Sequence, residues 1–161
     1  RIGRRVGEIA SAFRMKVLAN DPYHGSEPSY PFEWREIPEL FAEADVVTLH
    51  CNLTPENNGM VDAALLSSMK KTAYLINTSR GPLVKDVDLV DALKQGVLAG
   101  AALDVVPTEP IEADSPLLKA PNITLTPHIA WAALEARRRL TKVTAENIAE
   151  FQAGNPINLV N

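Results

Sequence analysis

One cysteine in 161 residues, Cys51, makes a disulfide framework within the chain impossible and fits a reducing, cytoplasmic compartment. Cys51 sits inside an apolar run, where it reads as a small core residue rather than a nucleophile. There is no basic run and the net charge is −4, which argues against nucleic acid and anionic membrane surfaces as partners. No stretch approaches the roughly 20 consecutive apolar residues of a membrane span, and no secretory signal pattern is visible at Arg1. Internal repeats and low-complexity segments are lacking, and no metal site is expected. What remains is 46% hydrophobic composition over about one domain's length, enough for a real core.

The stretch that organises the rest is Tyr74-Leu-Ile-Asn-Thr-Ser-Arg-Gly81. Residues 73–76 form a charge-free apolar run between Lys70-Lys71 and Gly81-Pro82, which predicts a fully buried strand ending in a turn. Ligands of open parallel sheets bind just beyond the carboxyl ends of strands. Asn77, Thr78, Ser79 and Arg80 occupy that place. The three short polar side chains can hydrogen-bond a cofactor, and Arg80 can clamp an anion with two prongs. An arginine in an exposed salt bridge is the ordinary alternative.

The chain opens with Ile2, Val6, Ile9 and Phe13 at helical spacing, followed by a short strand at 16–19 and then Asn20-Asp21-Pro22. Helix, strand and acid in that order form the middle of a dinucleotide-binding unit, in which the acid bonds the ribose hydroxyls. Gly3 can be only the last glycine of the phosphate-binding turn, with Asp21 eighteen positions on. Asp-Pro is also an ordinary turn starter.

Strand and helix keep alternating. Residues 23–35 read as a loop, 37–44 as a helix with Leu40 and Phe41 inward, and 45–50 as a strand. A helix at 62–69 is capped by Asp62, and a helix at 86–95 is ended by Gly96. Strands follow at 101–105 and 123–126, and a long helix covers 134–153. This alternation predicts an α/β fold with a doubly wound parallel sheet. In such a sheet Asp21, His50, Arg80, Asp104 and His128 all fall on one edge. Each has a bland alternative as a cap, a turn residue or a satisfied histidine. Five together point to a ligand-binding edge.

Three motifs in order, Asn77-Thr-Ser-Arg-Gly81, Ala102-Leu-Asp-Val-Val-Pro-Thr-Glu-Pro110 and Thr126-Pro-His-Ile-Ala-Trp131, resemble the D-2-hydroxyacid dehydrogenase family, nearest its glycerate dehydrogenase or hydroxypyruvate reductase branch. Arg1-Ile2-Gly3 resembles the tail of that family's Gly-x-Gly-Arg-Ile-Gly turn, and residues 155–161 resemble a family C-terminus. The resemblance implies a Rossmann-like NAD-binding domain over 1–132 that lacks its first strand, with a helix and tail at 133–161 returning towards a substrate domain absent from these residues. The 161 residues are therefore expected to belong to a longer polypeptide. It implies catalytic roles for Arg80, Glu109 and His128. NAD would be lined by Arg1, Ile2, Gly3, Asp21, His50, Cys51, Asn52, Thr54, Thr78, Ser79, Arg80, Asp104, His128 and Ala130. A small 2-oxo or 2-hydroxy acid would be the substrate, and a homodimer through the cofactor domain is expected. Formate dehydrogenases of the same superfamily carry glutamine in place of the acid that partners the histidine, so Glu109 speaks against that rival. A nicotinamide-sensing corepressor of the same fold is the rival from another class, and turnover of hydroxypyruvate separates it.

Overall fold

The computed structural model describes residues 1–25 and 27–160. It divides into two compact units, Arg1–Pro127 and His128–Asn161.

In the first unit the order is α1 (Ile2–Ala12), β1 (Leu18–Ala19), β2 (Glu33–Trp34), α2 (Ile37–Glu43), β3 (Val46–Leu49), α3 (Ala63–Ser67), β4 (Tyr74–Asn77), α4 (Asp86–Lys94), β5 (Gly100–Leu103) and β6 (Ile123–Leu125). Single 3-10 turns lie at Pro55–Asn57, Gly81–Leu83 and Pro116–Lys119. Every strand pairing is parallel. Strands β3-β4-β5-β6 form one ladder, in that order, and β1-β2 form a second. A parallel sheet needs a crossover between neighbouring strands, and α3 and α4 supply two of these.

The chemistry of the elements explains the layout. Strand β5 is Gly-Ala-Ala-Leu, small enough for tight packing between β4 and β6. Val47, Leu49, Leu75, Ala101 and Leu103 bury against Leu66, Leu89, Leu93, Leu98 and Leu117. Asp62 caps α3, its carboxylate accepting the Leu65 N–H at 3.0 Å. Gly96, at φ +65°, ends α4 in the left-handed conformation that glycine adopts most easily.

Three expectations change. The stretch 23–35 contains β2, paired with β1 through Leu18↔Glu33 and Ala19↔Trp34. Both β2 residues are exposed, so no alternation marks the strand. Strand β4 is not buried on all sides: Leu75 and Asn77 are buried, whereas Tyr74 remains 52% exposed. Because the strands split into two ladders, Asp21 follows β1 in the smaller one and does not share a ladder with the other strand ends.

The second unit is dominated by α5 (Leu134–Gln152), which buries none of its residues. Gly154, at φ +79°, follows it, and its N–H bonds the Phe151 carbonyl at 3.1 Å. No helix among the described residues is long and apolar enough to cross a membrane.

Candidate active site

Leu49, Asn77, Leu103 and Leu125 pair side by side as the last register row of the four-stranded ladder. One position further on stand His50, Thr78, Asp104 and Thr126. The ladder bonds continue there: the Asp104 N–H donates to Asn77 at 2.9 Å and the Thr126 N–H to Leu103 at 3.0 Å. A polar rim therefore forms at the carboxyl edge, where open parallel sheets bind their ligands.

The loop after β4 is built by Asn77, which is fully buried. Its Nδ2 donates to the Arg80 carbonyl at 2.9 Å, and its Oδ1 accepts the Ser79 N–H at 3.0 Å. Asn77 therefore shapes the loop, and its amide is not offered to a ligand as expected from its place at the strand end. The Ser79 hydroxyl donates to the Cys51 carbonyl, tying the β3 and β4 loops together. Thr78 and Arg80 are exposed. Arg80 Nη1 donates to the Ser79 carbonyl at 2.7 Å. Among the described residues no carboxylate pairs with it.

The loop after β3 is pinned by Asn57, a residue without an assigned role in the sequence reading. Its Oδ1 accepts the Thr54 N–H at 2.8 Å and its Nδ2 donates to the Asn52 carbonyl at 2.7 Å. The signal was the spacing Thr54-x-x-Asn57, a capping-box arrangement with asparagine in the third position. His50 Nε2 lies 3.1 Å from the Thr48 hydroxyl, and burial holds the imidazole below the usual histidine range. Burial also pushes the half-buried Cys51 thiol up, which keeps it protonated and supports its reading as a packing residue.

At the end of β5, Asp104 is only 5% exposed and accepts a hydrogen bond from the Thr126 hydroxyl. The following loop carries Glu109, whose Oε1 accepts the Val106 N–H at 3.2 Å. At the other ladder, Asp21 Oδ1 accepts the Tyr23 N–H at 2.9 Å, so the turn role is filled while its second oxygen makes none of the hydrogen bonds described.

Arg1 caps α1 and Ile2 begins it; both are exposed. A Cβ on Gly3 would meet His50 Cβ at 3.4 Å, so the helix start and the β3 end lie side by side. The first turn of α1 holds no acidic residue; Arg1 stands at its cap and Arg4 within it. Helix N-termini favour anions, and this one is reinforced by cations where soluble helices ordinarily place acids.

His128 opens the second unit at φ +53°, and its carbonyl accepts the Trp131 indole N–H at 2.8 Å. Ala130 follows in the same turn. The first unit thus holds Arg80 and Glu109, and the second holds His128 and Ala130.

Comparison with known proteins adds the following. The family model described as "D-isomer specific 2-hydroxyacid dehydrogenase, NAD binding domain" matches residues 1–130. A hydroxypyruvate reductase of Blautia hydrogenotrophica is 48% identical over 164 residues, covering 100% of this chain and 50% of the relative. A glycerate dehydrogenase of Methylorubrum extorquens is 40% identical, covering 99% of this chain and 49% of the relative. The solved NAD-complexed D-isomer specific 2-hydroxyacid dehydrogenase of Lactobacillus delbrueckii ssp. bulgaricus superposes with a TM-score of 0.88 at 32% identity, over 99% of this chain and 53% of the other. The chain spans about half the length of the curated relatives it matches.

Proposed function

The chain belongs to the D-isomer specific 2-hydroxyacid dehydrogenase family, as its NAD-binding domain, and from that premise we propose that the whole protein reduces a small 2-oxo acid with NADH, of the hydroxypyruvate or glyoxylate type. The observation that carries this reading is Arg80: exposed, at the carboxyl edge of a parallel sheet, steadied by its own loop and paired with no carboxylate among the described residues. Residues 1–132 act as the cofactor domain and 133–161 as a helix and tail reaching towards a substrate domain. A cytoplasmic homodimer formed through the cofactor domain completes the proposal.

The donor set suits a dinucleotide. The cationic start of α1 at Arg1, Ile2 and Gly3 would take the pyrophosphate through backbone N–H groups. Asp21 would accept hydrogen bonds from ribose hydroxyls. His50, Cys51, Asn52, Thr54, Thr78, Ser79, Asp104 and Ala130 would hold the cofactor, Asp104 through its nicotinamide carboxamide. The nicotinamide would supply the hydride, chemistry that belongs to the cofactor. Arg80 holds the substrate carboxylate and polarises the adjacent carbonyl oxygen. His128 gives its proton to that oxygen as negative charge builds on it, and takes the proton back in the oxidative direction. Glu109 would orient that imidazole.

The test is steady-state reduction of hydroxypyruvate by the whole protein. His128→Ala is expected to lower kcat about 10²–10⁴-fold, the usual worth of a positioned acid–base group, with NADH affinity unchanged. Arg80→Lys is expected to raise KM and lower kcat, because an ammonium cannot reproduce the planar fork. Near-normal kcat for His128→Ala refutes its assignment, and an unchanged KM for Arg80→Lys refutes the anion clamp.

A further inference from the structure

Gly81 lies where the loop after β4 touches the loop after β5. A Cβ placed on it falls 2.0 Å from the Val106 carbonyl carbon, 2.2 Å from the Val106 oxygen and 2.4 Å from the Pro107 nitrogen. All three atoms are backbone, so no rotamer change relieves the clash. Gly81 is not among the glycines with positive φ, so space and not conformational freedom requires glycine here.

The contact has a charged group on each side. Arg80 precedes Gly81, and the Arg80 carbonyl is fixed by Asn77 Nδ2. Val106 presents its carbonyl to Gly81 and its N–H to Glu109 Oε1. One backbone-to-backbone contact thus stands between the arginine and the glutamate.

We propose that Gly81 is a positioning residue that sets Arg80 and Glu109 relative to each other through its contact with Val106 and Pro107. This rests on the roles given above to those two side chains. A Cβ must part the loops by an ångström or more, and a displacement of that size at a reacting centre costs on the order of 10² in rate. A glycine needed only for packing would lower stability and leave the chemistry of the folded molecules intact.

The experiment compares Gly81→Ala, Arg80→Lys and Glu109→Gln in the whole protein, with hydroxypyruvate and NADH, per mole of folded enzyme. For Gly81→Ala, kcat/KM is expected to fall about 10²-fold with NADH affinity unchanged. The split between kcat and KM carries the distinction. Displacing Arg80 misplaces the substrate carboxylate, so KM rises in Gly81→Ala as it does in Arg80→Lys. Displacing Glu109 as well lowers kcat of the folded enzyme, as in Glu109→Gln. Wild-type kcat and KM in Gly81→Ala, with Arg80→Lys and Glu109→Gln impaired, overturns the positioning role alone. Wild-type kinetics in Arg80→Lys and Glu109→Gln overturns the underlying reading and the positioning role with it. If Gly81→Ala yields no soluble protein, Pro107→Gly loosens the same contact from the other side. The same rise in KM and fall in kcat, in smaller degree, supports the proposal, and unchanged kinetics overturns it.

Discussion

Replacing Asp86 by asparagine should stabilise the protein at neutral pH and do nothing in acid. Asp86 is the first residue of α4, half-buried, and its Oδ1 is shut away from solvent without a hydrogen-bond partner among the described residues. It shares a cleft with Val106, Pro107, Thr108, Glu112 and Asp114 on one side, and with Lys85 and Asp88 on the other. Burial pushes its carboxyl from an ordinary 3.8 up to about 6. In the folded state the proton is therefore held more tightly than in the unfolded chain. Below about pH 4 the group is neutral in both states and contributes no penalty. The penalty grows as pH rises through 4 to 6 and is complete above that, so this group makes stability fall with pH. A carboxyl moved that far corresponds to roughly 3 kcal/mol in full. Half-exposure and solvent screening reduce this to about 1–1.5 kcal/mol. The N-terminus of α4 favours a negative charge by about 0.3–1 kcal/mol, which the asparagine forfeits. Burial outweighs that term, leaving a net gain of up to about 1 kcal/mol for Asp86→Asn at pH 7.5, or up to about 4 °C in Tm. The gain should shrink through pH 6 to 4 and vanish below about pH 4. Calorimetric melting of both proteins across that range reads the difference directly. An asparagine variant less stable at pH 7.5, or a gain that persists in acid, refutes the reasoning.

Cofactor choice should favour NADH over NADPH, because the Asp21 carboxylate repels a 2′-phosphate; the ratio of kcat/KM for the two cofactors measures it, and an NADPH preference removes Asp21 from its role. Asn77→Ala strands the Ser79 N–H and the Arg80 carbonyl in the loop after β4, at a cost of roughly 2–3 kcal/mol. Melting should register that loss and KM for the 2-oxo acid should rise; a variant with parental Tm and KM would mean that the loop holds its shape without the amide.

The parallel α/β architecture was legible because short apolar runs alternate with helical stretches, and Val46–Leu49, Tyr74–Asn77 and Gly100–Leu103 are such runs. Caps were legible for an equally local reason: Asp62 and Gly96 act within one turn of their own position. Strand β2 was not, since two exposed residues carry no periodicity and are held by register with β1 alone. Nor was the burial of Asp86. In Lys85-Asp-Val-Asp88 it reads as one more solvated acid at a helix start, and the cleft it lines is closed by residues twenty or more positions away.

The site shows the same division between local and distant causes. A polar residue at the carboxyl end of a parallel strand can hold its own loop or face a ligand, and both uses favour the same residue types. Sequence places such residues at the edge without sorting them. Geometry sorts them by where their polar atoms go. The side chains of Asn77 and Ser79 bond backbone groups at residues 79, 80 and 51, and Asn57 does the same for residues 52 and 54. These residues make the edge rigid. Thr78 stays exposed, and Arg80 keeps its fork in solvent with a single bond to the Ser79 carbonyl. The rigid members lie between the exposed ones, so each group that faces outwards is anchored by a neighbour that does not. Preorganisation of that kind is what an anion clamp needs, because an arginine already fixed loses less freedom when the carboxylate arrives.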